Sequence, residues 1–138
     1  MRSSWQVATV RCVLSLLFAL VVARAEPPKE VLQVVTDATD ALANNDATRF
    51  LDLIDSHTPG YESLYAEVHY MVAAEDEIES SVEIVSDKAV GQAYELELDW
   101  VLQFGMDPPR RAIVKCRIER QGSKWKITSL APVEFFKV

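Results

Sequence analysis

Two histidines are the residues of this chain best suited to acid/base chemistry, because the charge of a histidine changes near neutral pH. His69 lies on a predicted helix beside an apolar stripe with Tyr65 on the same side, so either residue could serve as a general acid or base. A histidine in that position also suits the edge of a core, and we favour that interpretation. His57 stands near the end of a predicted helix, where a cation is mildly stabilised, and we assign it no chemistry.

Carboxylates and a thiol supply the other reactive groups. Five acidic residues cluster between positions 75 and 83, and carboxylates suit calcium. The cluster lacks the D-x-D-x-D-G loop spacing of a calcium site, so we predict a solvated acidic face with no metal and no cofactor. Cys116 would need a neighbouring base and solvent access to act as a nucleophile. It falls within an alternating apolar strand pattern, which predicts a buried structural cysteine instead.

Large apolar side chains could line a pocket for an apolar ligand. The candidates are Tyr65, Met71, Tyr94, Trp100 and Trp125. All five fall at helix or strand periodicity, where such residues more often form plain core. The sequence therefore indicates either a pocket or a filled interior, and it contains no catalytic motif.

Helical spacing begins after residue 28. A first helix carries apolar residues at positions i, i+4, i+7 and i+11, namely Val31, Val35, Ala38 and Leu42. Asn44-Asn45-Asp46 ends it and caps a short second helix that buries Phe50, Leu51, Leu53 and Ile54. Thr58 and Pro59 mark the start of a third helix, as its cap and its first residue. Its apolar stripe comprises Tyr61, Leu64, Tyr65, Val68, Met71 and Val72.

From Ile78 onward the apolar period changes to two, which is typical of half-buried strands. Four strands are predicted: a weak first strand over 78–85, a long second over 94–104, a third over 111–119 and a last after Gly122-Ser123. The inward residues of the long strand are Tyr94, Leu96, Leu98, Trp100, Leu102 and Phe104. The first hairpin needs a three-residue loop or a bulge, and Gly91 is the natural position for a bulge.

The register between the second and third strands depends on their loop. If residues 105–109 form that loop, Leu98 faces Cys116 and Asp99 faces Lys115. One face of the pair is then apolar and the other carries opposite charges, and a slip by one residue would destroy both patterns. Cross-strand ion pairs contribute about 0.2–1 kcal/mol each, so they specify register more than they stabilise the sheet.

The first 25 residues show the three regions of a secretory signal peptide. Arg2 and Arg11 precede an apolar run of 11 residues, and Ala23-Arg24-Ala25 provides a small-x-small cleavage site before Glu26. A membrane-spanning helix would need roughly 20 apolar residues. We therefore predict a signal peptide over 1–25, no membrane anchor after cleavage, and a single domain over 26–138. The protein is then exported, to the periplasm or out of the cell.

Charge argues against two classes of partner. Residues 26–138 contain 11 basic and 21 acidic residues, a net charge of −10, which disfavours nucleic acid and anionic lipid. The acidic residues concentrate before residue 100 and the basic residues after it. This asymmetry could form a basic binding patch, but the pairing of an acidic strand with a basic strand accounts for it without a ligand.

The order of elements, three helices and then a four-stranded antiparallel sheet with one very long strand, resembles the nuclear transport factor 2-like superfamily. That superfamily includes the SnoaL-like cyclases, ketosteroid isomerase and scytalone dehydratase. The resemblance rests on residues 41–51 (ALANNDATRFL), 94–100 (YELELDW) and 124–130 (KWKITSL), and it spans about residues 29–136. In detail the chain is most similar to small exported bacterial members of unassigned function.

The resemblance implies an α+β fold in which three N-terminal helices pack in the concave face of a curved four-stranded antiparallel sheet, forming a cone. Isomerases and dehydratases of this superfamily place an aspartate or a His–Asp pair inside the cone. Here the inward positions of the long strand carry no carboxylate. We therefore expect a non-catalytic domain that binds a small apolar molecule or a protein partner in or around the cone.

Two alternatives remain open. One is a SnoaL-like isomerase, cyclase or hydratase that uses His69 as its acid/base. The other is a structural module that forms a homodimer through its sheet, with Val101, Ile113 and Leu130 as a small apolar patch on the outer face.

Overall fold

The computed structural model describes residues 26–138, and the predicted signal peptide over 1–25 lies outside the described residues. Three helices precede four strands and a short 3-10 turn. The elements are α1 (Lys29–Ala43), α2 (Ala47–Asp52), α3 (Tyr61–Ala73), β1 (Ile78–Val90), β2 (Ala93–Phe104), β3 (Arg110–Gln121), β4 (Lys124–Ala131) and the 3-10 turn Val133–Phe136. Within the described part of the chain, no helix has the length and apolar character needed to cross a membrane.

The four strands form one antiparallel sheet in the order β1-β2-β3-β4. The three helices pack on one face of this sheet, and their apolar residues meet the inward residues of β2, β3 and β4 in a common core. The predicted α+β class and the packing of three helices on a four-stranded antiparallel sheet are confirmed.

The local signals of the first two helices are also confirmed. The predicted stripe of α1 is buried along its whole length, from Val31 to Leu42. Asp46 caps α2, because its side chain accepts a hydrogen bond of 3.0 Å from the backbone N–H of Arg49. Phe50 and Ile54 are buried as predicted, while Leu53 is only half-buried. The helix is shorter than predicted, because it ends at Asp52 and Ile54 pairs with Ile127 of β4 instead.

The predicted start of α3 is wrong. The N-cap is Gly60, not Thr58, and its φ of +78° lies in the left-handed region that favours glycine. A Cβ atom at this position would also come within 3.0 Å of Val133 Cγ2. Thr58 is buried, and its hydroxyl donates a 3.2 Å hydrogen bond to the carbonyl of Ile127. It therefore ties the α2–α3 loop to β4 instead of capping a helix.

The buried face of α3 is narrower than predicted. Leu64, Val68 and Met71 are buried at helical spacing, whereas Tyr65 is 48% exposed. Successive helical residues are about 100° apart around the axis. Because Leu64 points into the core, Tyr65 lies at the border between the packed and solvated sides of the helix.

The first hairpin is longer than predicted. β1 continues past residue 85 and pairs with β2 as far as Val90, which faces Ala93, so that Gly91-Gln92 form the turn. Gly91 has a φ of +60° and serves the turn, not a bulge. The bulge instead lies at Val85, between two pairs in which Ile84 faces Leu98 and Ser86 faces Glu97.

The predicted register between β2 and β3 is wrong by two residues. Leu98 faces Val114 and Asp99 faces Ile113. Residues 105–109 do lie between the two strands, but the last β2–β3 pair joins Leu102 to Arg110, because the final two residues of β2 pair only with β1. The backbone N–H of Gly105 donates a 2.8 Å hydrogen bond to the carbonyl of Glu77.

A shift of two residues leaves every side chain on its predicted side of the sheet but changes its partner. Cys116 is inward as predicted, facing Leu96 instead of Leu98. On the outer face, Arg117 contacts Glu95 at 3.1 Å, and Arg111 contacts Asp99 at 2.8 Å. Acidic β2 and basic β3 therefore neutralise each other, although through different pairs from those predicted.

The outer apolar patch is smaller than predicted, because Leu130 is buried. β4 has a register shift where Arg117 faces Ser129 and Ile118 faces Ile127. This leaves Thr128 as an extra residue, so Ile127 and Leu130 both point into the core although they are three positions apart.

Candidate functional site

The inner face of β2 is filled by the protein itself. Trp100 is only 1% exposed, and the residues two positions before and after it are equally buried. Its indole meets the ring of Phe136 edge to face, with ring centroids 5.2 Å apart, and the centroid of the Phe135 ring lies 6.4 Å away. The 3-10 turn that follows β4 thus occupies the space in front of the middle of the sheet.

The polar groups of this interior are satisfied by one another. Trp100 Nε1 donates a 2.9 Å hydrogen bond to Ser80 Oγ, which lies 2.7 Å from Thr39 Oγ1. This chain of contacts joins β2, β1 and α1. Within residues 26–138, no buried side-chain nitrogen or oxygen lacks a hydrogen-bond partner. The buried polar side chains of this part of the chain are therefore all engaged in hydrogen bonds.

The five predicted pocket residues are not brought together. Met71 and Trp100 are part of the core, and Tyr65 lies at the surface of α3. Tyr94 and Trp125 are half-buried neighbours with ring centroids 6.0 Å apart.

Of the two predicted acid/base candidates, His69 is half-buried on α3. Its ring packs against Tyr65, with ring centroids 4.4 Å apart. Among residues 26–138, the histidine paired with a carboxylate is His57, not His69. The structure thus places His69 and Tyr65 side by side but supplies no carboxylate to orient the imidazole.

The contact between Asp55 and His57 was not predicted from the sequence. Asp55 Oδ1 accepts a 2.8 Å hydrogen bond from the backbone N–H of His57 and lies 3.0 Å from its Nδ1. Asp55 Oδ2 accepts a hydrogen bond from Gln121 Nε2 in β3. The hydrogen bond from Gln121 and those from His57 lower the pKa of Asp55 from 3.8 to about 2.

This pair fastens a loop and does not enclose a reacting group. The His57 side chain is 95% exposed, so the structure places no substrate site against it. The same loop is bound to β4 through Asp55 N–H to the carbonyl of Ile127, at 2.8 Å. The spacing Asp-x-His ahead of Thr-Pro-Gly could have indicated a side-chain-stabilised turn, but nothing local identifies Gln121 as the third member.

A groove of about 990 Å³ lies between α1, α2 and the start of β4. Trp125 and Val34 contribute apolar surface, although most of the lining residues are polar or charged. Arg49 contacts Asp37 at 3.2 Å, and Lys126 donates to the backbone carbonyl of Asp52. These charges are engaged with groups of the protein, so the groove is polar without carrying a strong charge of one sign.

Cys116 is a buried structural residue, as predicted. Burial raises the pKa of its thiol from 9.0 to about 12. The thiolate is the reactive form of a cysteine, so burial disfavours the reactive form of this side chain in the folded protein.

The acidic segment after α3 does not form a metal centre. Glu75, Asp76 and Glu77 are exposed to solvent. Among residues 26–138, no three histidine, cysteine, aspartate or glutamate side chains are grouped closely enough to hold a metal ion.

Comparison with known proteins identifies the fold. No profile of a known family matches the sequence, and no curated protein matches it. Solved structures do match. A nuclear transport factor 2-like protein of unknown function from Shewanella oneidensis superposes with a TM-score of 0.63 at 15% identity, covering 76% of this chain and 97% of that one.

Two further structures agree. A domain of unknown function with a cystatin-like fold from Nostoc punctiforme gives a TM-score of 0.62 at 10% identity, covering 76% of each chain. A putative calcium/calmodulin-dependent protein kinase type II association domain from Thiobacillus denitrificans gives 0.59 at 14% identity, covering 70% of this chain and 88% of that one. The chain therefore has the nuclear transport factor 2-like fold, as the sequence predicted.

Proposed function

We propose that this chain is an exported, non-catalytic binding domain that recognises a protein partner through its surface. The observation that carries this proposal is the filled middle of the inner sheet face, formed by Trp100, Phe135 and Phe136, which we call the closed interior. Trp100 fills the middle of the concave face, and Phe135 and Phe136 pack directly against it. A small apolar ligand would have to displace these side chains from the core. Recognition is left to the outer surface, which favours a macromolecular partner over an enclosed small molecule.

A fold of this class does not by itself define a function, so the proposal needs a direct test of the interior. Anilinonaphthalene sulfonate gains fluorescence when it enters an apolar cavity. We expect no gain with the native protein, and a gain with Phe136→Ala if circular dichroism shows that this variant stays folded. Stoichiometric binding of the probe to the native protein, or a co-purifying small molecule in native mass spectrometry, would contradict the closed interior.

The enzyme alternative gains no support from the geometry. The acid/base candidate His69 packs on Tyr65, a side chain 48% exposed, and it is not the histidine that contacts a carboxylate. A turnover that is lost in a stable His69→Ala variant would restore this alternative.

A homodimer formed through the outer face of the sheet is the second candidate. The outward side chains of β2 are acidic and those of β3 are basic, and Ile113 is 47% exposed among them. A second copy, rotated about an axis parallel to the strands, would set acidic β2 against basic β3. Sedimentation equilibrium tests this: a dimer that dissociates in high salt, or in Ile113→Arg, would favour it.

Export is the part of the proposal that rests on residues 1–25 alone. We expect the protein recovered from an exporting host to begin at or next to Glu26, which intact-mass analysis can measure. An abundant native form that retains the apolar run would contradict export with cleavage.

A further inference from the structure

Three rings lie one above another on α3. Tyr61, Tyr65 and His69 follow at intervals of four residues, and the ring centroids are 6.2 Å apart in the first pair and 4.4 Å apart in the second. We call these three side chains the α3 ring stack. Its middle member is 48% exposed. Tyr65 therefore presents aromatic surface to solvent while its neighbours hold its orientation.

The carboxylates of α3 are Glu62 and Glu67, and the helix contains neither lysine nor arginine. From Phe50 through Asp87, with both ends included, the sequence contains ten acidic residues and neither lysine nor arginine. Glu62 is three residues before Tyr65, which places the two side chains on adjacent positions of the helix surface. The electron-rich face of an aromatic ring attracts a cation, and a carboxylate beside the ring can pair with the same cation.

We propose that the α3 ring stack, together with Glu62, is the docking surface for an arginine-containing segment of the protein partner. This inference rests on the proposed function and names the surface that performs it. A guanidinium group is planar, so it can stack on the Tyr65 ring and direct its N–H groups to the Glu62 carboxylate at the same time. A lysine ammonium lacks that planar geometry and binds less tightly.

A second copy of this chain fits the surface less well than another protein does. Arg111 and Arg117 on β3 already contact Asp99 and Glu95 of their own sheet. The net charge of −10 over residues 26–138 also makes one copy repel another over most of the surface. Charge complementarity therefore favours a basic partner.

The test uses fluorescein-labelled nona-arginine as the probe and the exported, processed protein, with affinity measured by fluorescence anisotropy. Tyr65→Ala should weaken binding about three- to thirty-fold, the range of a cation–π contact. Glu62→Gln should also weaken binding and reduce its salt dependence. Tyr70→Ala is the matched control. Tyr70 is a 65% exposed tyrosine on the same helix, and its ring is not a member of the α3 ring stack. We expect this control to bind within about twofold of the native protein.

Each other outcome overturns the inference. Equal effects of Tyr65→Ala and Tyr70→Ala, or no effect of either, would mean that the probe binds by diffuse electrostatic attraction. Equal affinity for nona-lysine would remove the guanidinium specificity. A dimer that Tyr65→Ala dissociates would identify a second copy as the occupant. In amide chemical-shift mapping, changes should centre on Glu62, Tyr65 and His69, and changes elsewhere would contradict the assignment. None of these results bears on the closed interior, which the fluorescent probe tests separately.

Discussion

The rings of Trp100 and Phe136 meet edge to face, with planes at 87° and centroids 5.2 Å apart. Such aromatic pairs contribute about 0.5–1.5 kcal/mol beyond the area they bury. The contact joins the centre of the longest inward row of side chains to the last turn of the chain. The C-terminal segment is therefore part of the core, and its aromatic side chains pack in front of the middle of the sheet.

Phe136→Ala should lower the free energy of unfolding by about 3–5 kcal/mol, because it removes a fully buried ring and leaves a cavity beside Trp100. Urea denaturation measures the change. Val138→Ala, two residues later and 45% exposed, is the control and should cost less than about 0.5 kcal/mol. A loss for Phe136→Ala as small as that of the control would show that the turn does not close the interior.

Ser80→Ala should destabilise the protein by about 1–3 kcal/mol although it removes a single oxygen atom. It would leave the buried N–H of Trp100 without its acceptor, which costs more than a hydrogen bond normally contributes. Ser81→Ala changes the adjacent exposed serine and should have little effect on urea denaturation. If the two variants unfolded at the same urea concentration, the hydrogen bond from Trp100 to Ser80 would not contribute to stability.

The elements that sequence reasoning predicted well are those that depend on local periodicity. The buried stripe of α1 and the alternation of β2 each require only the spacing of apolar side chains along one element. The β2–β3 register depends also on the contact of Gly105 with Glu77, a residue outside the hairpin. The assumption that Phe104, the residue before the loop, faces Arg110 therefore placed the strands two residues out of register.

The candidate site was less predictable for a related reason. The sequence identified Tyr65 and His69 as neighbours but not the exposure of Tyr65, which depends on how far α3 is rotated against the sheet. Asp55 and Gln121 are 66 residues apart, and their contact exists only because β4 brings the α2–α3 loop against the β3–β4 hairpin. No local pattern contains that information.

Paired cysteines can test the observed register directly. Glu97 faces Lys115 on the outer side of the sheet. Residues directly opposite lie within the Cα separation of about 4.4–6.8 Å that a disulfide needs, whereas diagonal neighbours lie about 7–8 Å apart. Glu97→Cys with Lys115→Cys should therefore oxidise readily to an intramolecular disulfide. Loss of two free thiols under non-reducing conditions measures it.

The comparison variant combines Glu97→Cys with Arg117→Cys, the pair expected from the register inferred from the loop. It should oxidise slowly, and the buried thiol of Cys116 should not compete in the folded protein. Faster oxidation of this second pair would show that the register in which Phe104 faces Arg110 is correct.

Asp55 should make the stability of the folded protein depend on pH in the acidic range. Its pKa is about 2 in the folded protein, below the ordinary 3.8, because Gln121 and His57 donate hydrogen bonds to the ionised carboxylate. Those bonds stabilise the fold above about pH 4 and lose their effect as the pH falls through about 2. Asp55→Asn should thus unfold at lower urea than the native protein at neutral pH, and the difference should shrink between about pH 4 and pH 2. Gln121→Ala should reproduce part of the loss, and Asp87→Asn, at an exposed aspartate of β1, should leave the curve in place. A constant difference across that pH range would show that the carboxylate charge does not hold the loop against the hairpin.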